Sequence, residues 1–295
     1  MLTALIKTMR PRQWPKNAFV LAAVVFDHQL SLSNPAPLFR SLIGVLLFCF
    51  LSSAVYIIND IKDVESDRKH PVKCKRPIAA GTLPVPTAIT AMVVLLLFTF
   101  PAAYLLSPGF FIVAITYFVI NLGYSLWLKH VPLVDVLILA LFFVLRVVSG
   151  VTLIHVERFS PWLYICITLL ALYIGFGKRR AELTTMEKDA MGTRRVLEGY
   201  NLPLLDQLIT VVSSSTILAY SLYTFSAPNL PTNHTMMLSI PFVLYGVFRY
   251  LYLIQVKQEG GAPEELLLAD RPLQVAVVLW GLTVFMIIYI LPHFF

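Results

Sequence analysis

The chain contains few charged residues. Only 13% of its 295 residues are Asp, Glu, Lys or Arg, whereas 58% are hydrophobic. A soluble protein of this length needs a largely polar surface, so this balance excludes a water-soluble enzyme. Apolar runs separated by short charged loops are typical of membrane-spanning helices. We therefore expect an all-α integral membrane protein that forms one domain over residues 1–295.

Cysteine is also scarce. Cys49, Cys74 and Cys166 are an odd number and lack the spacing of metal ligands, which argues against a disulfide framework and against a zinc site. A Walker loop and a dinucleotide fingerprint are absent as well, so the common nucleotide-binding folds are not indicated. No nucleic-acid partner is expected.

Nine apolar runs are long enough to be considered as membrane spans. The first is the weakest, because Asp27 and His28 interrupt it, and eight spans would remain if that run only lay at the membrane interface. The nine runs cover approximately residues 18–35, 37–58, 86–107, 109–128, 132–154, 161–177, 205–226, 236–256 and 272–293.

The positive charges predict the orientation. All of the 23 Lys and Arg residues except Arg40, Arg146 and Arg158 fall on one side of the nine runs. Cytoplasmic loops carry such a positive excess, so the amino terminus is expected in the cytoplasm, the carboxyl terminus outside, and the active site at the cytoplasmic face of the inner (plasma) membrane. The net charge of +7 suits anionic lipid headgroups and phosphorylated substrates equally.

An acidic segment follows the second run. Asp60, Asp63 and Asp67 would share one face of a continuous helix, and carboxylates placed so closely repel each other unless a cation joins them. Five cations follow between residues 68 and 76. This pattern predicts a Mg²⁺-diphosphate site, and the alternative is a solvated helix of mixed charge beside the membrane.

A cationic segment follows the sixth run. Lys178, Arg179 and Arg180 precede a single carboxylate, Glu182, which is four residues after Lys178 and could pair with it or bracket a ligand. An ordinary positive-inside anchor would look similar. The acidic segment offers oxygen ligands for Mg²⁺ and this segment offers donors for phosphate, which together favour a site for a phosphorylated substrate.

Arg146 is predicted to lie near the middle of the bilayer, well inside its run of residues 132–154. An ionisable group at that depth must face the bundle interior or water. Asp135 precedes it by eleven residues on the same helix face, so the two could mark a polar channel, or Arg146 could be a structural charge. Tyr124 and Lys129, at the cytoplasmic loop between the fourth and fifth runs, could contact a phosphate, although Lys129 also fits a plain positive-inside residue.

Two of these segments resemble a known family. The signature Asn59-Asp60-x-x-Asp63-x-x-x-Asp67, with Arg76-Pro77-Ile78 after it, resembles the first aspartate motif of the UbiA superfamily of intramembrane prenyltransferases. The segment from Tyr124 to Lys129 resembles the Tyr-x-x-x-Lys motif of that family with one extra residue. The resemblance implies an all-helical fold of nine spans and a diphosphate substrate that is bound through Mg²⁺.

The second aspartate motif of the aromatic prenyltransferases is missing. In its place, Gly177-Lys178-Arg179-Arg180-Ala181-Glu182-Leu183 is similar to the loop of the decaprenyl-phosphate phosphoribosyltransferase branch. The segments at residues 9–17, 70–81 and 145–150 also resemble that branch. The resemblance implies transfer of phosphoribosyl from phosphoribosyl pyrophosphate to a polyprenyl phosphate lipid, decaprenyl phosphate in the branch, with release of pyrophosphate and a role in cell-wall biosynthesis.

The expected roles combine the charge pattern with this resemblance. Asp60, Asp63 and Asp67, with Asn59, are expected to hold Mg²⁺ against the leaving pyrophosphate. The expected substrate-binding residues include cations that neutralise the leaving group, Lys73 and Arg76, cations that clamp a phosphate, Lys178 and Arg179, and a carboxylate for a ribose hydroxyl, Glu182. Asn59, Lys16, Tyr124, Lys129 and Arg146 complete that set.

Two other function classes stay open at this point. A UbiA-type prenyltransferase that moves a polyprenyl group from its diphosphate to an aromatic or other acceptor is the enzymatic alternative. A lipid or solute transporter is the non-enzymatic one, and repeats or broken spans in both halves would favour it. The sequence leaves the acceptor chain length and the oligomeric state open, a homo-oligomer included.

Overall fold

The structure is a computed structural model that describes residues 1–31, 33–70, 72–155, 161–189, 195–228 and 230–293. Arg158 and Pro71, the second residue of the segment 70–81, lie outside these residues. The described residues form helices and turns with no β-strand, which confirms the all-helical expectation. The α-helices are α1 Leu2–Met9, α2 Ala22–Phe26, α3 Ala36–Lys62, α4 Val64–Lys69, α5 Val85–Leu106, α6 Pro108–Leu126, α7 Val134–Val151, α8 Pro161–Asp189, α9 Leu202–Ser226, α10 Ile240–Gln255, α11 Pro263–Ala269 and α12 Arg271–Phe285.

Eight helical segments in the described part of the chain are long and apolar enough to cross a membrane. They include α3, α5 to α10 and α12, and they match the second to ninth apolar runs. A proline stands in the first two positions of α3, α5, α9, α10 and α12, where its missing N–H costs no helical hydrogen bond. The exposed side chains of these helices are often large and apolar, as with Leu97 and Leu105, and suit contact with lipid.

The first apolar run is not one of these eight helices, so the expected count of nine is not confirmed. Its place is taken by a 3₁₀ helix, Pro11–Leu21, which contains Pro15, and by the short α2. Proline inside a helix removes a backbone donor, and 3₁₀ geometry leaves the segment irregular.

This irregular segment nevertheless runs antiparallel to α3. Trp14 Nε1 donates to Ser53 Oγ over 3.2 Å, and Asn17 Nδ2 donates to Ser52 Oγ over 3.3 Å. Further along the segment, Val20 lies beside Gly44. At rises of about 2.0 and 1.5 Å per residue, the 3₁₀ helix and α2 together extend about 30 Å, the thickness of the hydrocarbon layer.

The chain separates into two compact units. The first comprises Met1–Val25, Gln29–Leu126 and Leu145–Val156, and the second comprises Phe26–His28, Trp127–Val144 and Glu157–Phe295. In the first unit, α3 is the central element: its side chains Phe48, Leu51 and Ile57 are almost fully buried. α1, the 3₁₀ helix, α5 and α6 pack around it.

Arg40 stabilises the end of the first unit that is opposite the acidic segment. Its Nε donates to the carbonyl oxygen of Leu153 over 3.0 Å, and its Nη2 donates to that of Leu106, the last residue of α5, over 2.6 Å. Carbonyl groups at helix ends lack helical partners and attract cations. This contact gives a physical reason for a cation outside the positive-inside pattern.

In the second unit, α8 and α9 pack along each other, and α10 packs against α9 and α12. The core contains Tyr173 and Phe176 of α8, Leu205 and Ile209 of α9, and Ile254 of α10. α8 extends well past residue 177, the end of its apolar run, to Asp189. The cationic segment is therefore a regular continuation of a long helix and not a loop.

We predict that Gly150→Ala destabilises the protein. A Cβ atom at Gly150 would lie 2.0 Å from the carbonyl oxygen of Val20, so backbone would have to move. Overpacking of this kind costs about 1–3 kcal/mol, and thermal unfolding of the detergent-purified protein should show a lower midpoint. Gly281→Ala in α12 is the control, because nothing lies within 4 Å of its Cβ position. An unchanged midpoint for Gly150→Ala would contradict the close approach.

Candidate active site

The acidic segment is not one continuous helix. α3 ends at Lys62, Asp63 has φ −91° and ψ 9°, and the short α4 begins at Val64. The expectation of one continuous helix over Asp60, Asp63 and Asp67 is therefore wrong. The α-helix is interrupted at Asp63, and the buried carboxylates of Asp60 and Asp67 both contact one cation.

That cation is Arg76. Its Nη1 atom donates to Asp60 Oδ1 over 3.2 Å and to Asp67 Oδ2 over 2.6 Å. The two carboxylate side chains are 2% and 4% exposed, whereas that of Arg76 is 30% exposed. Buried carboxylates need such compensation, because an uncompensated charge in an apolar interior is costly.

Arg10 is a residue of this cluster that the sequence reasoning did not select. Its Nη2 donates to Asp60 Oδ1 over 2.5 Å, and its guanidinium lies 4.8 Å from the centre of the Tyr56 ring. Arg10 has a positive φ of 55°, ends α1 and precedes the 3₁₀ helix. The signal in the sequence was its place in the Met9-Arg10-Pro11 segment, which the resemblance already included.

Asn59 and the end of α6 are joined by hydrogen bonds. The Ser125 hydroxyl donates to Asn59 Oδ1, and Lys62 Nζ donates to the carbonyl oxygen of Ser125 over 2.5 Å. Tyr124 precedes Ser125 in the last turn of α6 and is half-buried. The contact with Ser125 thus orients the side-chain amide of Asn59, the residue that precedes Asp60.

His70 organises the turn that leads to Lys73 and Arg76. Its Nδ1 atom accepts the backbone N–H groups of Val72 and Lys73 over 3.2 and 3.3 Å. Burial, and to a smaller extent the nearby Lys73, lower the pKa of His70 below its usual value. The neutral ring is the form that can accept at Nδ1, so the turn depends on that form.

Arg146 belongs to a buried polar network of the first unit. Its Nε donates to Asn17 Oδ1 and its Nη2 to the Tyr117 hydroxyl, each over 2.9 Å, and the side chain lies against the Tyr117 ring. Asn17 Nδ2 in turn donates to the Sγ of Cys49. The expectation that Arg146 faces the protein interior agrees with its 5% exposure. Lys16, beside Asn17, is half-buried.

In the second unit, Arg179 is fully engaged in ion pairs. Its Nε donates to Asp135 Oδ2 over 2.6 Å and its Nη1 to Glu182 Oε2 over 2.5 Å, and the side chains of Arg179 and Asp135 are 1% and 0% exposed. Glu182 therefore pairs with Arg179 three residues away. The side chain of Lys178 makes no hydrogen bond or ion pair with the described residues, and Lys178 is half-buried.

Tyr200 extends this network to the turn that follows Lys129. Its hydroxyl donates to Asp135 Oδ1 over 2.7 Å and accepts the N–H of Leu133 over 2.6 Å. Leu133 has a positive φ of 67°, a conformation that is costly for a branched residue. Burial and the hydrogen bond to Asp135 raise the pKa of Tyr200, so its hydroxyl keeps the proton that it donates.

The acidic cluster has the donor chemistry that suits Mg²⁺. Carboxylate and amide oxygens are the ligands this ion prefers, and one cationic nitrogen already lies between Asp60 and Asp67. Among the described residues, no group of three or more His, Cys, Asp or Glu side chains is arranged to hold a metal ion. The expected three-aspartate ligand set therefore stays a prediction.

A sequence profile of the UbiA prenyltransferase family matches residues 18–269. Because the match covers most of the chain, this protein belongs to the UbiA prenyltransferase family. The family resemblance drawn from the aspartate motif is confirmed.

Relatives with curated names are similar over nearly their whole length. The decaprenyl-phosphate phosphoribosyltransferase of Corynebacterium glutamicum is 33% identical over 293 residues, which cover 98% of this chain and 88% of that protein. The decaprenyl-phosphate phosphoribosyltransferase of Mycobacterium tuberculosis is 32% identical over 295 residues, with 96% of this chain and 94% of the relative covered.

Solved structures share the fold. A UbiA homolog from Archaeoglobus fulgidus bound to GPP and Mg²⁺ has a TM-score of 0.71 and is 19% identical, with 97% of this chain and 100% of that chain covered. A structure of digeranylgeranylglyceryl phosphate synthase has a TM-score of 0.63 and is 14% identical, with coverages of 97% and 98%. At such identities the likeness establishes the fold alone.

We predict that Tyr200→Phe destabilises the second unit. The substitution removes the acceptor of the Leu133 N–H and leaves one oxygen of the buried Asp135 without its donor, and an unpaired buried polar group costs about 1–3 kcal/mol. Tyr223→Phe is the matched control, because the Tyr223 hydroxyl is buried in the same unit and has no hydrogen-bond partner among the described residues. Thermal unfolding should show a lower midpoint only for Tyr200→Phe, and equal midpoints would contradict the role of this hydroxyl.

We also predict that acidification loosens the turn after His70. Because the folded-state pKa of His70 is lowered, its stabilising contribution is complete above the unfolded value of about 6.5 and is lost as the pH falls through the folded value. Hydrogen–deuterium exchange of a peptide over residues 70–76, corrected for intrinsic rates, should accelerate below about pH 6.5. In His70→Asn, a non-titrating acceptor, the acceleration should be absent, and its persistence there would contradict the assignment.

Proposed function

We propose that this protein transfers the 5-phosphoribosyl group from phosphoribosyl pyrophosphate to a polyprenyl phosphate and releases pyrophosphate. A lipid-phosphate oxygen would attack C1 of the ribose, while the bond from C1 to the pyrophosphate oxygen breaks and the leaving group takes the electron pair. The observation that carries the proposal is the similarity, over nearly the full length, to enzymes curated as decaprenyl-phosphate phosphoribosyltransferases. Decaprenyl phosphate is accordingly the first acceptor to test.

The charges of the second unit favour this reaction over prenyl transfer. α8 carries Lys178, Arg179 and Arg180 with the single carboxylate Glu182 where a second aspartate pair would offer ligands for another metal ion. Arg179 is paired with Asp135, and Arg180 with Asp206. Lys178 is the cation of this group that makes no ion pair with the described residues, so we assign it to a substrate phosphate.

The roles in the first unit follow from the acidic cluster. Asp60, Asp63 and Asp67, with Asn59, hold Mg²⁺ in this proposal, and Lys73 and Arg76 neutralise the departing pyrophosphate. The metal ion supplies Lewis-acid support to the leaving group when bound. Because a lipid phosphate is already ionised near neutral pH, the protein needs no strong general base, and positioning and electrostatics provide the catalysis.

The remaining proposed substrate contacts come from several segments of the chain. Tyr124 and Lys129 border the cytoplasmic loop between α6 and α7 and are assigned to a phosphate. Lys16 is likewise assigned to the cytoplasmic face of the membrane. Arg179 holds Glu182 in place for a ribose hydroxyl, and Arg146 supports the polar interior of the first unit through Asn17.

The topology proposed from the charges places the amino terminus in the cytoplasm and the carboxyl terminus outside. This arrangement requires an odd number of crossings. The eight long helices and the irregular segment Pro11–Phe26, which extends about 30 Å beside α3, together supply that number.

The reaction is tested by offering two substrate pairs to the purified protein with Mg²⁺ and analysing the lipids by mass spectrometry. One tube contains phosphoribosyl pyrophosphate and decaprenyl phosphate, and the other contains a polyprenyl diphosphate and an aromatic acid. We expect a phosphoribosylated lipid in the first tube only. A prenylated aromatic product in the second tube would instead assign the protein to prenyl transfer.

Asp67→Asn should lower the rate of phosphoribosyl transfer by at least about a hundredfold, the usual effect of removing one electrostatic contributor to the transition state. Glu65→Gln in the same short helix is the control, because Glu65 is exposed and pairs only with Arg68 among the contacts of its side chain. Both variants should still fold, which a cooperative thermal unfolding transition would show. Near-normal turnover of Asp67→Asn would remove this carboxylate from the metal site.

A further inference from the structure

One nitrogen atom occupies the space between the two buried carboxylates of the acidic cluster. Arg76 Nη1 bonds to Asp60 Oδ1 and Asp67 Oδ2 at 3.2 and 2.6 Å. Asp60 Oδ1 also accepts Arg10 Nη2, so this single oxygen serves two guanidinium groups. Both lone pairs of Asp60 Oδ1 are therefore engaged by arginine, and so is one lone pair of Asp67 Oδ2.

The arginines are held less firmly than the carboxylates. Asp60 and Asp67 are 2% and 4% exposed, whereas Arg10 and Arg76 are 28% and 30% exposed. Arginine side chains are long and flexible, and their guanidinium groups bind phosphate oxygens as well as they bind carboxylates. A guanidinium that leaves the cluster can thus move outward to a phosphate while the carboxylates stay in place.

Mg²⁺ cannot bind Asp60 Oδ1 while this oxygen accepts both guanidinium groups. Mg²⁺ requires direct coordination at about 2.0–2.1 Å, and both lone pairs of this oxygen are already engaged. Two carboxylates without any cation would repel each other in a low-dielectric environment. The two carboxylates consequently need a cation, and the arginines supply it in the metal-free protein.

We propose that Arg76 and Arg10 are exchangeable counterions: they neutralise Asp60 and Asp67 in the metal-free protein, leave these carboxylates when Mg²⁺ is bound, and then bind the pyrophosphate group. This inference rests on the proposed function and adds Arg10 to the residues that recognise the leaving group. Binding of the metal and binding of pyrophosphate are then coupled, because the arginines that release the metal ligands are the same groups that bind pyrophosphate.

The coupling predicts two effects of opposite sign in one variant. Arg76→Gln removes a competitor of the metal, so metal alone should bind more tightly. The same substitution removes a donor to pyrophosphate, so inorganic pyrophosphate should bind more weakly once the metal site is saturated. An arginine with a purely structural role in the cluster would lower both affinities when it is removed.

The experiment measures Mn²⁺ binding to the purified full-length protein by electron paramagnetic resonance, with Mn²⁺ in place of Mg²⁺ because both ions prefer oxygen ligands. Arg68→Gln is the matched control for loss of one nearby positive charge, since Arg68 pairs with Glu65 and not with the cluster. We expect Arg76→Gln to bind Mn²⁺ at least about fivefold more tightly than Arg68→Gln, as expected for a charge in direct contact. Pyrophosphate binding at saturating Mn²⁺ should weaken about tenfold, the loss of one charge-assisted contact.

The outcomes separate the two proposals. If the wild type binds Mn²⁺ and Asp67→Asn abolishes this binding, but Arg76→Gln and Arg68→Gln bind alike, the exchange is overturned and the metal site remains. If the wild type and Asp67→Asn both fail to bind Mn²⁺, the metal site and the exchange are overturned together. If Arg76→Gln does not yield folded protein, Arg10→Gln makes the same comparison at Asp60, and its Mn²⁺ affinity decides.

Discussion

Compensation of buried carboxylate charge is the constraint on which this structure depends. The chain is mostly apolar, and Asp60, Asp67 and Asp135 are nearly inaccessible to water. Each of these carboxylates is bound by at least one arginine, because an uncompensated charge in such surroundings would be far too costly. Both units thus contain a charged cluster at the end of long apolar helices, and the functional proposals arise from these clusters.

The two clusters differ in how open they are to exchange. In the first unit, the two arginines are partly exposed. Arg10 reaches the carboxylates from the end of α1, and Arg76 reaches them from the turn after α4. In the second unit, Arg179 is buried between Asp135 and Glu182, and Tyr200 joins Asp135 to the strained backbone of Leu133. The first arrangement suits exchange of cations with a substrate, whereas the second suits a fixed support for residues such as Glu182 and Lys178.

This difference is consistent with a family in which one metal-carboxylate platform supports related reactions. Prenyl transfer and phosphoribosyl transfer both expel a pyrophosphate group from a carbon that becomes cationic. The metal site proposed in the first unit would serve either reaction, because its proposed role is to bind the leaving group. The cationic segment of α8 distinguishes the two, because phosphate donors there favour a phosphorylated sugar over a second metal ion.

Sequence alone determined the membrane class, the eight long helices and the segments that carry the candidate site. Apolar runs, charged loops and the aspartate signature are local in the sequence, and lipid leaves few alternatives to helices. It did not predict the break at Asp63, the irregular segment at residues 11–26 or the partners of the charged groups. Arg10 and Asp60 are 50 residues apart in the sequence, and some other partners are farther apart, so only folding decides that they meet. Lys178, Arg179 and Arg180 are equivalent cations in the sequence, and the tertiary structure distinguishes them because Asp135 and Asp206 approach two of the three.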